Sequence, residues 1–227
     1  MKFYDLSART YGAHVPRRVA KSPALLIALH GGGLGSPEQH ERMTGWTSLA
    51  DRDRGFVVVY PQGIKATWNA GHSALGYAGR QNLDDVGFLE AVIRDAAIRF
   101  AIDPRRVYLS GFSNGSMLAH WFAVESPGVV AAIGAVSGGL SAIPREGIAA
   151  KPPAVRIVHG YQDDHVPFEG GIGSAALDPY DHVPIQQTES WWRAQGAEVE
   201  ALYGKWGHTW PDGETARQWA FFKGRVL

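Results

Sequence analysis

The sequence predicts an α/β protein with a mainly parallel central sheet and helices on both of its faces. Short apolar runs alternate with longer segments of helical periodicity along the chain. The runs lack apolar–polar alternation, which is typical of strands covered on both sides. With 227 residues, 45% hydrophobic and 19% charged, the chain has the size and composition of a single globular domain over residues 1–227.

The elements follow one another in a regular order. The strands are predicted at 24–30, 56–60, 107–112, 129–137, 154–160 and 199–204, and a hairpin is expected to precede them within 3–16. Helices are predicted at 42–54, 84–100, 114–125, 185–195 and 215–223. The clearest is 84–100, because its apolar residues recur at helical spacing and Asp84 or Asp85 can cap its start.

Charge and cysteine content exclude several classes of function. The formal net charge is zero, from 22 basic and 22 acidic residues, which argues against nucleic-acid or membrane partners. There are no cysteines, so disulfides, thiolate metal sites and a cysteine nucleophile are excluded. The start MKFYDLSART has no apolar run long enough for a signal peptide. The sequence therefore leaves the location open between the cytoplasm and export with a removed signal.

Residues that follow the strands are the first candidates for chemistry, because ligands of such sheets bind beyond the carboxyl ends of the strands. The first long strand ends in the glycine run that starts at His30. The N–H of Gly32 is a candidate oxyanion donor. The alternative is a tight strand-to-helix turn with no catalytic role.

Ser113 is the candidate nucleophile. It lies in the pattern Gly-Phe-Ser-Asn-Gly between a predicted strand and a predicted helix, the context that a nucleophile elbow requires. The N–H of Asn114, at the start of that helix, would be the second oxyanion donor. The alternative is an ordinary turn serine.

An acid and a base are expected after later strands. Asp163 and Asp164 follow the strand 154–160 and His208 follows the last strand, which gives the order nucleophile, acid, histidine of α/β-hydrolases. His208 is preferred over His165 and His159 because it lies beyond the acid, at the end of a late strand. A serine, a histidine and an aspartate together transfer an acyl group to water without any metal or cofactor.

Two loops and four aromatic residues are candidates for the walls of the site. Residues 137–153 predict a loop instead of a large lid, and the glycine- and proline-rich segment 165–182 is expected to form a wall. The aromatic candidates for substrate contact are Trp68, Tyr161, Trp206 and Trp210, with core packing as the alternative for the tryptophans.

With these residues identified, the chain resembles the polyhydroxybutyrate depolymerases, feruloyl esterases and acetylxylan esterases. The blocks LHGGG, WNAG, RVYLSGFSNGSMLAH, HGYQDDHVP and GHTWPDG carry the resemblance over nearly the whole chain. It implies an α/β-hydrolase fold and Ser113 as nucleophile, Asp163 as acid and His208 as base. It also implies feruloyl, acetyl or hydroxyalkanoate esters as substrates, and we expect a monomer or a weak homodimer.

Two other functions are compatible with the same residues. One is a serine peptidase of the same fold. The other is a hydrolase-like binding protein without turnover, which the presence of nucleophile, acid, base and oxyanion glycines makes the weaker alternative.

Overall fold

The computed structural model describes residues 1–6, 8–33, 36–71, 75–176 and 178–227. Its strands are β1 (Lys2–Leu6), β2 (Arg9–His14), β3 (Ala24–Leu29), β4 (Phe56–Pro61), β5 (Val107–Phe112), β6 (Ala132–Val136), β7 (Ala154–Gly160) and β8 (Val199–Gly204). Its helices are α1 (Pro37–Thr44), α2 (Trp46–Asp53), α3 (Gly76–Arg80), α4 (Asp85–Phe100), α5 (Asn114–Glu125), α6 (Ile185–Ala194) and α7 (Glu214–Phe222).

The eight strands form one sheet in the order β1-β2-β4-β3-β5-β6-β7-β8. β1 pairs with β2, and β2 with β4, in antiparallel register, while every pair from β4 to β8 is parallel. The predicted leading hairpin and the mainly parallel sheet are both confirmed. The carboxyl ends of β3, β5, β7 and β8 therefore meet at one edge, where the candidate residues follow them.

Both faces of the sheet are buried, as the unbroken apolar runs predict. In β3, Leu25 and Ile27 pack into one core with residues of α4, α5 and α6, while Leu26 packs into a second core with residues of α2 and α7. Alternate side chains of a strand point to opposite faces, so the helices must cover both sides. None of the helices in the described part of the chain has the length and apolar run needed to cross a lipid bilayer.

The prediction of one continuous helix over 42–54 is wrong, because Gly45 separates α1 from α2 in that region. Gly45 has φ 67° and donates its N–H to the carbonyl oxygen of Glu41, so it ends the first helix. The helix α4 agrees with its prediction, and Asp84 caps it by accepting a hydrogen bond from the N–H of Gly87 at 2.7 Å. Residues 137–153 contain neither helix nor strand, as expected for a loop.

Candidate active site

Ser113 lies at the sharp turn between β5 and α5. Its backbone has φ 54° and ψ −122°, a conformation that is strained for any residue with a side chain and is found at functional turns. The flanking glycines are required by space. A Cβ atom on Gly111 would lie 2.3 Å from the carbonyl oxygen of Gly115, and one on Gly115 would lie 2.4 Å from the carbonyl oxygen of His30. The residue pattern therefore folds as the strand–turn–helix element that it predicts.

Asp163 is buried in the turn after β7, and its carboxylate accepts from two backbone N–H groups and from one histidine. One carboxylate oxygen accepts the backbone N–H groups of His165 and Val166, at 3.0 and 2.8 Å. Nδ1 of His208 lies 3.0 Å from the same oxygen and 2.9 Å from the other one. Because an ionised carboxylate only accepts, Nδ1 carries the proton of a neutral His208 and its Nε2 is the free basic nitrogen.

The electrostatic balance keeps Asp163 ionised. Burial by itself would raise the pKa of this carboxyl. The hydrogen bond and charge of His208, with the N–H of Val166 and the charge of His159, outweigh burial and lower the pKa below 3.8. An ionised Asp163 is the form that can stabilise a positive charge on His208.

Asp164, the other acid candidate, points away from His208. Its carboxylate is exposed and lies 2.9 Å from Nδ1 of His165. The ring of His165 in turn stacks on that of His208, with centroids 4.7 Å apart and planes at 16°. The two adjacent aspartates therefore serve two different histidines, as the divergence of neighbouring side chains predicts.

His159, the buried alternative to His208, lies behind the acid. Its Nε2 is 2.8 Å from the carbonyl oxygen of Val166 and 3.3 Å from the carboxylate of Asp163. Burial lowers the pKa of His159, against the opposing effects of Val166 and Asp163. It therefore supports the turn that carries Asp163 and has no exposed nitrogen for chemistry.

Asp163, His165 and His208 are also the described residues that could hold a metal ion. Each offers one ligand atom, and these atoms lie within 4.8 Å of one another. The carboxylate of Asp163 and Nδ1 of His208 already bind each other, so an ion would have to compete with that hydrogen bond.

The glycine loop after β3 lies against the elbow. A Cβ atom on Gly32 would be 3.6 Å from the Cβ of Asn114. No hydrogen bond in the described chain uses the N–H of Gly32, whereas Gly33 donates its N–H to the carbonyl oxygen of Ala66 at 3.0 Å. The N–H of Asn114 is the first of α5 and has no acceptor within the helix. The two residues that carry the predicted oxyanion donors, Gly32 and Asn114, therefore lie against each other.

His30 and Trp68 hold that glycine loop in place through hydrogen bonds to its backbone. The N–H of Gly63 donates to Nε2 of His30 at 2.9 Å, so Nδ1 carries the proton and donates to the carbonyl oxygen of Gly31 at the same distance. Burial lowers the pKa of His30 to about 4. The indole N–H of Trp68 donates to the carbonyl oxygen of His30 at 2.8 Å. A neutral histidine and a buried indole thus hold the loop in place.

Ser113 and His208 line one cavity of about 540 Å³. Its wall also contains Gly32 and Asn114. Residues of the segment 165–182 line it too, as predicted for that segment, and so do residues of α3 and Leu75, which precedes α3. The further lining residues are Gly33, Lys65, Thr67, Leu75, Gly76, Tyr77, Arg80, Phe112, Met117, His165, Val166, Ala176, Asp178 and His182.

The four aromatic candidates for substrate contact are not among the residues that line this cavity. Trp68 is completely buried, and its backbone N–H and carbonyl oxygen both bind the side chain of Asn114, at 2.7 and 3.1 Å. Trp206 packs closely over Gly160, where an added Cβ would clash with it.

The remaining two aromatic candidates also pack elsewhere. Trp210 is buried, and its indole N–H donates to the hydroxyl of Thr215 at 3.0 Å. Tyr161 is exposed and lies edge-on to Phe168 at 4.8 Å. Core packing, which the sequence analysis gives as the alternative to substrate contact, therefore describes the environment of the three tryptophans.

Tyr77, in α3, lines the cavity, as does Phe112, and the sequence analysis identified neither of them. α3 has only five residues, two of them glycines, and shows no apolar stripe. A residue outside the helix fixes it, because the carboxylate of Asp178 accepts the N–H of Gly76 at 2.7 Å and forms an ion pair with Arg80 at 2.5 Å. Such a short helix depends on tertiary contacts and gives little sequence signal.

Residues 10–166, more than half of the chain, match the family model described as esterase PHB depolymerase. The bifunctional acetylxylan esterase/xylanase XynS20E of Neocallimastix patriciarum is 31% identical over 169 residues, which are 72% of this chain and 22% of that protein. Feruloyl esterase B of Neurospora crassa is 31% identical over 162 residues, 70% of this chain and 53% of that protein. The chain thus spans from about a fifth to about half of the length of these two relatives.

Solved structures give the fold. An acetyl xylan esterase from Aspergillus awamori superposes with a TM-score of 0.70 over 98% of this chain and 100% of that one, at 16% sequence identity. The sheet topology and this likeness make the fold that of an α/β-hydrolase, as predicted. Since the family model matches most of the sequence, including the segments that carry Ser113 and Asp163, the chain belongs to the esterase PHB depolymerase family.

Proposed function

We propose that this protein is a serine carboxylester hydrolase that works through an acyl-serine intermediate. One observation carries the proposal. Nδ1 of His208 is bound to a buried aspartate, and the same imidazole lines a cavity together with a serine on a strained elbow. Membership of an esterase family supports the same reaction class.

In the proposed reaction, Nε2 of His208 accepts the hydroxyl proton of Ser113 while Oγ attacks the ester carbonyl. The N–H groups of Gly32 and Asn114 donate to the oxyanion that forms. His208 then returns the proton to the departing alkoxide, which leaves an acyl-serine. A water molecule, deprotonated by His208, attacks the acyl group and restores Ser113, while Asp163 stabilises the imidazolium in both steps.

The proposed substrates are feruloyl, acetyl or hydroxyalkanoate esters, either polymer-linked or oligomeric. The relatives named as acetylxylan and feruloyl esterases support the first two groups. A cavity of about 540 Å³ is of the size that holds a small ligand. Leu75, Tyr77 and Met117 give it an apolar side suited to an acyl chain or an aromatic ring.

The test is turnover by the wild type and Ser113→Ala on 4-nitrophenyl acetate, methyl ferulate, acetylated xylan and hydroxybutyrate oligomers. We expect the wild type to hydrolyse at least one of them and Ser113→Ala to lose at least about a thousandfold in kcat. Ser126→Ala is the matched control, because Ser126 lies at the other end of α5 and donates to Glu90 at 2.8 Å. Full activity in Ser113→Ala, or cleavage of peptide substrates alone, would contradict the proposal.

A further inference from the structure

Among the lysine, arginine and acidic side chains that line the cavity beside Ser113, one positive charge has no acidic partner. Among its lining residues, Lys65, Arg80 and Asp178 are the lysine, arginine and acidic side chains. Arg80 and Asp178 form an ion pair at 2.5 Å, so their charges cancel. His182 contributes no charge near neutral pH, because burial lowers its pKa to about 4. The charge that remains is the ammonium of Lys65.

This ammonium is held over an aromatic ring and has no acidic partner. Nζ of Lys65 lies 4.2 Å from the ring centroid of Tyr77, which also lines the cavity. In the described part of the chain, no carboxylate lies within salt-bridge distance of it. A cation–π contact orients an ammonium while leaving N–H donors available to another acceptor. The side chain is therefore oriented at the cavity without being neutralised.

The backbone that presents Lys65 is strained. Residues 64–67 form a tight turn, closed by the N–H of Thr67 donating to the carbonyl oxygen of Ile64 at 3.1 Å. Both central residues are left-handed, with φ 47° at Lys65 and 58° at Ala66, and neither is a glycine. Turns of this kind favour Asn-Gly, and each non-glycine residue at positive φ costs free energy. Strain that persists at the wall of a reaction cavity is a reason to look for a function of the side chain it presents.

We infer that Lys65, supported by Tyr77, recognises a free carboxylate on the substrate. This inference rests on the proposed function and narrows it. The substrate class is an ester of a chain that also carries a carboxylate, so that Ser113 attacks the ester while Lys65 holds the anionic end. A carboxylate forms a charge-assisted hydrogen bond with an ammonium, which is stronger than a bond between neutral groups. The acidic groups nearby do not oppose it, since Asp178 is paired and Asp163 is buried against His208.

The free carboxylate can belong to either side of the scissile ester, and two pairs of probes distinguish these sources. On the acyl side, the mono-4-nitrophenyl ester of adipic acid is compared with the 4-nitrophenyl ester of monomethyl adipate, following release of nitrophenol. On the alcohol side, the linear hydroxybutyrate dimer is compared with its terminal carboxamide, following the products by chromatography. The measured quantity is the ratio of kcat/KM for the anionic probe to that for the neutral one.

We expect Lys65→Met to lower this ratio about three- to fivefold in one pair, which is the upper part of the range for an exposed ion pair. Lys65→Arg should keep it within about twofold, and 0.5 M NaCl should lower it in the wild type. Lys2→Met is the matched control. Lys2 also lies over a tyrosine ring, at 5.3 Å from Tyr4, but not in this cavity.

Unchanged ratios for both pairs in Lys65→Met would overturn the inference, as would an equal loss in Lys2→Met. The proposed function fails separately, when the wild type hydrolyses none of the neutral esters. In that case calorimetric binding of the anionic adipate probe to Ser113→Ala, with and without Lys65→Met, decides the inference. Weaker binding in the double variant supports it, and equal binding overturns it.

Discussion

The imidazole of His165 stacks on that of His208, with centroids 4.7 Å apart and planes at 16°. Each ring is anchored at Nδ1 by its own aspartate, His208 by Asp163 and His165 by Asp164. Phe112 contacts the ring of His208 as well, with its centroid at 4.9 Å. The proposed base therefore has one end fixed by a buried acid and its ring bounded by two other rings.

His165→Ala is predicted to lower kcat about two- to tenfold, because removing the stacked ring lets the imidazole of His208 leave its reactive orientation. The range corresponds to the 0.5–1.5 kcal/mol of an aromatic pair. His165→Phe keeps a stacking surface and should retain most of the activity. Steady-state kinetics on one neutral ester measure both variants. Equal losses in the two would show that the ring does more than restrict His208.

The two adjacent aspartates provide a matched test of the acid. Asp163→Asn is predicted to lower kcat about 10³- to 10⁴-fold, because an amide cannot stabilise the imidazolium and can select the wrong tautomer. Asp164→Asn, whose side chain is exposed and binds only His165, should cost less than about threefold. Circular dichroism checks that both variants fold. The reverse order of effects would reassign the acid to Asp164.

The positions of Ser113, Asp163 and His208 could be predicted because parallel strands end at one edge and each residue lies at most four positions after the end of a strand. The choice between Asp163 and Asp164 required the family resemblance, since the side chains of both could face the site. Substrate contacts could not be predicted in the same way. Trp68 lies in the loop that follows β4, but its ring is completely buried. Tyr77 reaches the cavity on α3, which Asp178, about 100 positions later in the chain, helps to fix.

His40 makes stability depend on pH. It is buried edge-on to Tyr60 and Trp210, and neither ring nitrogen has a hydrogen-bond partner in the described structure. Burial, with a smaller effect of His30, lowers the pKa of His40 to about 3. Below pH 6.5 the unfolded chain binds a proton at His40 that the folded state does not bind. The contribution of neutral His40 to the free energy of unfolding is therefore fully present above pH 6.5 and is lost as the pH falls towards 3.

His40→Phe removes this dependence and keeps an aromatic ring in the site. Between pH 6.5 and 5, the wild type should therefore lose about 1.6 kcal/mol more free energy of unfolding than the variant, because the slope approaches about 1.4 kcal/mol per pH unit only below pH 6.5. Urea unfolding at the two pH values measures the difference. Parallel losses in the two proteins would mean that His40 is protonated or hydrated in the folded state.

Asp178 links the segment after the acid to α3, because its carboxylate binds both the N–H of Gly76 and the guanidinium of Arg80. Asp178→Ala should raise KM for a neutral ester about three- to tenfold, since one wall of the cavity loses its fixed position. The value of kcat should change by less than about twofold, because the hydrogen bond between Asp163 and His208 does not involve Asp178. Asp178→Asn can still accept the N–H of Gly76 and is the matched control, with a smaller rise expected. Steady-state kinetics separate the two constants. A fall in kcat at constant KM would show that the link acts on the proposed catalytic residues instead of on the binding wall.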